Sequence, residues 1–315
     1  MEYDCVGVGM IALDHLILVD HYPETNSKNI ARLVVKQGGG PVPTALAVLG
    51  KLGEKCAVVT KTGIDAAEKV LKTELAEFHI DTTYIVSEAE IETPEAFIII
   101  DEKSGDRTVI LNRTKQTALA IKDLPDGLLQ NCRLLHLDGH DQEANLYAAE
   151  KAKENGTAIS IDIGSARKVD DALLDLSDYA IVSENYADEY LQRNNPAKSA
   201  AMLFNRGMTL AAVTCGEQGS YFASSDGVYH QSAFPVTVVD TTGAGDVFHG
   251  AALFGILENW AVPQIASFAS AAASLACTKM GGKAGIPDLH EIDNFLMKRG
   301  IDSQFIKSGG VEPDV

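Results

Sequence analysis

The sequence predicts an α/β fold: a doubly wound, mostly parallel central sheet with helices on both faces and a small β-sheet lid. Three observations carry this. From residue 134 onward, short apolar segments alternate with segments of helical period, the pattern of a parallel sheet with crossover helices. Upstream, β-branched runs within 15–36 and 96–112 stand outside that alternation and suit a separate small sheet. The 315 residues, 46% of them hydrophobic, hold enough apolar material for a large core, with no repeat and no linker that would divide the chain. One domain is therefore expected over residues 1–300, with the lid segments inserted. A disordered tail is expected over 301–315, where Ser308-Gly-Gly-Val-Glu-Pro-Asp-Val315 lies.

Taken in order, residues 4–13 are apolar and read as a buried strand. They contain Gly7-x-Gly9-x-x-Ala12, near a dinucleotide fingerprint, but that fingerprint requires a helix next. The short β-branched run His15-Leu-Ile-Leu-Val19 follows instead, and argues against it. Asp14 then falls just past the strand, where open α/β sheets bind ligands; a turn-capping role suits it equally. Residues 30–36 read as a strand, Gly38-Gly-Gly-Pro-Val-Pro-Thr44 as a loop, and Ala45–Leu52 as a helix closed by Gly53. Cys56–Thr60 reads as a strand and Asp65–Phe78 as a helix. Thr82–Val86, Ala96–Asp101 and Arg107–Asn112 read as short strands, the last two joined by the hairpin signal Glu-Lys-Ser-Gly-Asp. Beyond them, strands are expected at Leu134–Leu137, Ala158–Ile163, Tyr179–Val182 and Leu210–Thr214. Helices are expected at Glu143–Glu154, Asp170–Leu176, Ala187–Gln192, Pro196–Arg206 and Pro263–Thr278.

Charge narrows the partners. Lys and Arg number 26 against 44 Asp and Glu, a net −18. Such a chain does not suit nucleic acid or an anionic membrane surface. The five scattered cysteines include no Cys-x-x-Cys and read as reduced thiols of a cytoplasmic protein. No basic leader and no membrane-length apolar run is present. His136 and His140 would be spaced for a metal only on a helix, and Gly139 argues against one there. Asp138 and His140 close a strand and can face a ligand. Neither a P-loop signature nor Gly-x-Ser-x-Gly occurs.

The most informative stretch is Val239-Asp-Thr-Thr-Gly-Ala-Gly-Asp-Val-Phe-His-Gly250. It reads as an extended segment, a turn of small residues and a helix, since Val247, Phe248, Ala251, Ala252, Phe254 and Leu257 keep helical spacing. Amides of Gly243, Ala244, Gly245 and Asp246 at a helix N-terminus suit an anion. A carboxylate at that place makes chemical sense if Asp246 takes a proton from a hydroxyl while the amides hold a phosphoryl group. The plainer reading is an Asp that only complements the helix dipole.

This stretch resembles the second signature of the PfkB (ribokinase-like) carbohydrate kinases, and the Gly-Gly loop entering a Leu-Gly-ended helix at 38–53 is similar to the first. The resemblance spans residues 4 to about 298. It implies an ATP-dependent sugar kinase with Asp246 as base and Gly243, Ala244 and Gly245 as the anion hole. It places the sugar against Asp14, Gly39, Gly40 and Thr44. Thr stands where the family has Asn, which is similar to the sulfofructose-kinase-like branch. Lys28 and Asn112 match lid positions that meet a sulfonate there, whereas His140 stands where that branch has Arg; a neutral ketose such as fructose is therefore favoured over a phosphorylated or sulfonated sugar. ATP is expected along Thr214, Gly216, Gly219 and Ser270. Mg²⁺ is expected near Ser183 and Asn185, where the family's Asn-x-x-Glu is poorly kept: either Asn185 with Asp188 or Ser183 with Tyr186 stands in its place, so the ATP phosphates and water are expected to hold most of the metal. Asp240, Thr242, Ala276, Lys279, Gly281 and Gly285 are expected around a monovalent cation, K⁺. The lid is expected to be a homodimer surface. A nucleoside kinase and a sugar-sensing pseudokinase remain the alternatives, and retention of Asp246 counts against the second.

Overall fold

The computed structural model describes residues 2–302, so most of the expected tail, 303–315, lies outside the described residues. β1 (Tyr3–Val8) opens the main sheet, and β2 (Ala12–Val19) and β3 (Leu33–Gly39) depart from it. α1 (Pro41–Lys51), β4 (Cys56–Gly63), α2 (Ala66–Glu77), β5 (Ile80–Asp81) and β6 (Ile85–Glu88) return to it. β7 (Glu95–Asp101) and β8 (Arg107–Asn112) leave it again. Strand and helix then alternate: β9 (Cys132–Leu137), α3 (Gln142–Glu154), β10 (Ala158–Ile163), α4 (Asp171–Leu176), β11 (Tyr179–Ser183), α5 (Glu184–Tyr190), α6 (Pro196–Phe204) and β12 (Leu210–Thr214). A hairpin of β13 (Ser220–Ser224) and β14 (Gly227–Gln231) precedes α7 (Ala244–Leu257), α8 (Val262–Ala276) and α9 (Leu289–Met297).

The main sheet runs β14-β13-β12-β11-β10-β9-β1-β4-β5, with β6 beside β4. It is parallel except for the β13–β14 edge. The chain passes from β1 to β4 on one side and to β9 on the other, so the order reverses between β1 and β9. A crevice opens at the carboxyl ends of the strands at such a point. Side-chain alternation divides the core in two. Cys5, Val58 and Ala212 point to the face covered by α1, α7 and α8, whereas Val6, Val59 and Val213 point to the face with Ala144, Ala148 and Ala200 of α3 and α6. Both faces are buried, as a parallel sheet requires.

The small sheet runs β3-β2-β7-β8. Register puts Asp14, Leu16, Gln37, Ala96, Ile98 and Arg107 on one face, and His15, Val34, Phe97 and Ile110 on the other. Leu16, Ala96, Ile98 and Ile100 are buried with Met280 against them, so the first face looks inward.

Several boundaries differ from expectation. The stretch 4–13 is not one strand: β1 ends at Val8, and Ala12–Asp14 belong to the lid. Asp14 is thus held within β2 rather than past β1. The Gly38–Thr44 loop is almost absent. β3 continues through Gly39, and α1 starts at Pro41. Gly40 alone makes the turn, at φ 105°, where a side chain would meet the Met10 carbonyl. Proline at the first helical position then fixes the helical φ without losing a needed N–H. β6 pairs with β4, so the segment expected at Thr82–Val86 serves the main sheet and not the lid. α5 lies N-terminal to the helix expected at Ala187–Gln192, because Ser183 caps it by accepting from the Tyr186 amide.

Candidate active site

α7 starts at Gly243, whose φ of 72° is left-handed. A Cβ there would lie 2.7 Å from the Gly282 Cα, so two backbones touch at the turn. The amides of Gly243, Gly245 and Asp246 have no acceptor among the described residues. Ala244 corrects the expectation: its amide donates to the Thr241 carbonyl at 3.2 Å, closing the turn, so three amides rather than four remain free for an anion. Asp246 is half-buried in the first turn. Burial raises its pKa well above the carboxylate range; Asp162 adds to this, while His249 and Arg107 oppose it.

Asp14 is buried on the inner face of the lid, its carboxylate lying over the Cα of Gly39. Burial pushes its pKa up to about 7, with Lys283 pulling down and Glu74 adding. Lys283 is itself buried, 3.1 Å from Glu74, which also accepts from the Gly38 amide at 2.7 Å. Thr44 is buried in the first turn of α1. Asp138 follows β9 and is fully buried. It accepts from the Met10 amide at 2.8 Å and the His140 amide at 2.9 Å, which ties the ends of β1 and β9 together at the switch point. His140 is half-buried, its pKa lowered by burial with Asp138 opposing. Lys28 sits in the exposed segment between β2 and β3. Asn112 ends the exposed β8, opposite Glu95 and on the face away from Asp14.

Ser183 and Thr214 are paired neighbours at the carboxyl ends of β11 and β12. Gly216–Gln218 turns the chain into Gly219, and Ser270 is buried in α8. Asn185 is exposed in the first turn of α5. Asp240 is almost fully buried. One carboxylate oxygen accepts from the amide and hydroxyl of Thr242, and the other from the Gly281 amide at 2.8 Å. The Ala276 carbonyl accepts from the Lys279 amide at 3.2 Å and abuts the Cα of Gly285. The residues expected around a cation are thus brought together.

Four pairings were not foreseen from the sequence, which places Arg107 and Arg113 only in a basic cluster of the lid segments. Arg107 reaches from the lid to the Thr241 hydroxyl at 2.7 Å. Lys283 and Glu74 underlie the glycine run. Arg113 grips Asp141 through both carboxylate oxygens, at 2.6 and 2.7 Å. Asp162 and His249 lie beneath Asp246.

Comparison with known proteins bears on the family and the fold. A family model described as pfkB family carbohydrate kinase matches residues 4–289. Ribokinase of Haemophilus influenzae is 27% identical over 298 residues, covering 92% of this chain and 97% of its own. Mouse ketohexokinase is 24% identical over 292 residues, covering 89% and 98%. Among solved structures, Arabidopsis thaliana ribokinase complexed with ribose and ATP superposes with a TM-score of 0.78 at 22% identity, covering 94% of this chain and 99% of that one.

Proposed function

The chain belongs to the pfkB family of carbohydrate kinases, enzymes that use ATP, and on that premise we propose that it phosphorylates a hydroxyl of a ketose such as fructose. The observation that supports this most is Asp246 beside three free amides at the start of α7, with Asp14 facing the same crevice from the lid. The sugar lies under the lid between Asp14, Gly39, Gly40 and Thr44. Asp246 removes the hydroxyl proton, and the oxygen attacks the γ-phosphorus in line. The amides of Gly243, Gly245 and Asp246 hold the charge that develops on the transferring oxygens. ATP extends over Thr214, Gly216, Gly219 and Ser270.

The metals fit unequally. Among the described residues no group of three or more His, Cys, Asp or Glu gathers to hold a metal. Ser183 Oγ accepts from the Tyr186 amide and Asp188, three residues after Asn185, accepts from the Asn194 amide, so this segment offers Mg²⁺ little, and its ligands would be the ATP phosphates and water. The cation turn fits K⁺ better. Asp240 would supply the charge, and Thr242, Ala276, Lys279, Gly281 and Gly285 would supply backbone oxygens; a bound cation would order the loop behind Gly243.

A neutral sugar suits the site better than an anionic one. Asp14 lines it, nearby Lys283 is paired with Glu74, His140 tends to neutrality, and Lys28 and Asn112 are exposed and lie outside the group gathered around Asp14. The exposed outer lid face, with Val34, Phe97 and Ile110, fits a second copy of the chain. A screen of ketoses, aldoses, their phosphates and nucleosides with ATP tests the substrate. Asp246→Asn tests the base: kcat should fall about 10²- to 10⁴-fold with ATP affinity kept. A purified variant with nearly full kcat removes Asp246 from the chemistry.

A further inference from the structure

His249 stands one turn after Asp246 on α7 and is 2% exposed. Its Nδ1 lies 2.7 Å from the Gly245 carbonyl and its Nε2 3.0 Å from the Ile181 carbonyl of β11. A carbonyl oxygen only accepts. A neutral imidazole has one donor, so it would leave one of these contacts as two lone pairs face to face; only the doubly protonated ring satisfies both. The counter-charge is at hand. Asp162 Oδ1 is 3.3 Å from Nε2, and Asp162 is 1% exposed with only the Gly164 backbone amide to oppose its desolvation besides neighbouring charges. A buried carboxylate so sparsely satisfied is costly unless a cation balances it.

We propose that His249, protonated on both ring nitrogens and balanced by Asp162, is a positioning residue of the transfer step, locking the Gly245 carbonyl and with it the anion-binding turn and Asp246 onto the central sheet. This rests on the reading of Asp246 as the base. Gly245 directly precedes Asp246 in the turn whose free amides face the phosphoryl group. Fixing its carbonyl from below fixes the peptide that bears the Asp246 amide. The groups facing the pair are His136 from β9, Asp138 just after it, Arg167 after β10 and Asp246 on α7; Arg107 from the lid faces Asp246. His136 carries no charge into this cluster, because burial and then His249 push its pKa down to about 3. Burial raises the pKa of Asp162 and Asp138 adds to this, with His249, Arg167 and the Gly164 amide opposing. The pair is neutral as a whole, so it holds the turn without adding net charge beside the base.

Two measurements test this. Neutron diffraction from wild-type crystals at pH 8 should show deuterium on both Nδ1 and Nε2 of His249. A bare nitrogen overturns the proposal, and this result needs no turnover. The second is the acid limb of kcat/KM. His249→Gln leaves the Asp162 charge alone, so the limb should move up by about one pH unit, the low end for a nearby charge. Asp162→Asn leaves the cation alone, so the limb should move down. The double variant should return it close to wild type. Loss of packing alone lowers the amplitude without shifts of opposite sign, so shifts of one sign, or none, overturn the proposal. If His249→Gln does not fold, Asp162→Asn and the neutron map decide. If no sugar is turned over, the kinase reading fails while the protonation of His249 is still decided by diffraction.

Discussion

Replacing Gly243 by Ala should damage catalysis far more than sugar binding. Two costs add at this position. The backbone sits at φ 72°, where a residue with a Cβ is destabilised by about 1–2 kcal/mol. The new methyl would also lie 2.7 Å from the Gly282 Cα. That neighbour is backbone and has no rotamer to turn away, so the turn must move by roughly 1 Å to reach ordinary van der Waals contact. A displacement of that size at reacting groups costs about 10²-fold in rate. The expected result is a kcat about a hundredfold lower, a higher KM for ATP, and a KM for sugar within about threefold of wild type, since Asp14, Gly39 and Thr44 lie on other elements. The melting temperature should drop by several degrees, as about 2 kcal/mol does in a chain of this size. Gly245→Ala is the control for stability: a Cβ there meets nothing within 4 Å, and the melting temperature should hold. Steady-state kinetics and thermal melts on both variants are sufficient. A Gly243→Ala enzyme with kcat within threefold of wild type refutes the idea that this turn is set by the Gly243–Gly282 contact.

Asp14 should make the unliganded protein less stable as pH rises. Its folded pKa of about 7 exceeds the unfolded value of about 3.9, so between those values the folded state holds a proton the unfolded chain has released. Stability therefore falls through that window, by up to roughly 4 kcal/mol, and urea unfolding at pH 5 and pH 8 should show Asp14→Asn losing much less; equal losses would mean Asp14 titrates normally. Exchanging Na⁺ for K⁺ at fixed Mg-ATP should raise kcat, because the Asp240–Gly281 turn backs the anion-binding one; identical rates in ammonium-free buffers would dismiss the cation. Ile110→Glu, on the exposed outer lid face, should convert a dimer to a monomer by light scattering, and a monomeric wild type would remove the lid interface from the proposal.

What was legible followed from local pattern. The alternation after residue 134 gave the parallel sheet, and the small-residue turn with its following helix gave the start of α7, because both depend on neighbours in sequence. Two local signals went unread. Asp226-Gly227 between apolar runs is a hairpin turn and makes the β13–β14 edge. Asp288 with Glu291 is a capping box and opens α9. The rest had no local signal. Arg107 meets Thr241 across 134 residues, and His249 meets the Ile181 carbonyl across 68. Lys283 follows the Gly281–Gly282 turn, and only the folded chain shows that it pairs with Glu74. The strand–helix junction at Gly40 differs from expectation for a related reason: three glycines and two prolines resemble a loop until register against β2 shows Gly38 and Gly39 extended, with the prolines already in α1.

The start of α7 is where these long-range contacts converge, and its own chemistry explains why. Gly243 has no side chain to cap the helix, so the first-turn amides are left unmet. A conventional cap would satisfy them but would also occupy the place of an anion. The turn must therefore be held from outside. Gly282 supports it from the cation loop, His249 from the sheet, and Arg107 from the lid through Thr241. Only the last of these belongs to an element that can report on the sugar. Arg107 also opposes the rise in the Asp246 pKa. The base should thus be more fully ionised when the lid rests on Thr241 than when it does not, so the hydroxyl proton is best accepted with the sugar covered. If Asp246 is the base as proposed, Arg107→Met should therefore move the acid limb of kcat/KM up, and an unmoved limb would separate the lid contact from the charge on the base.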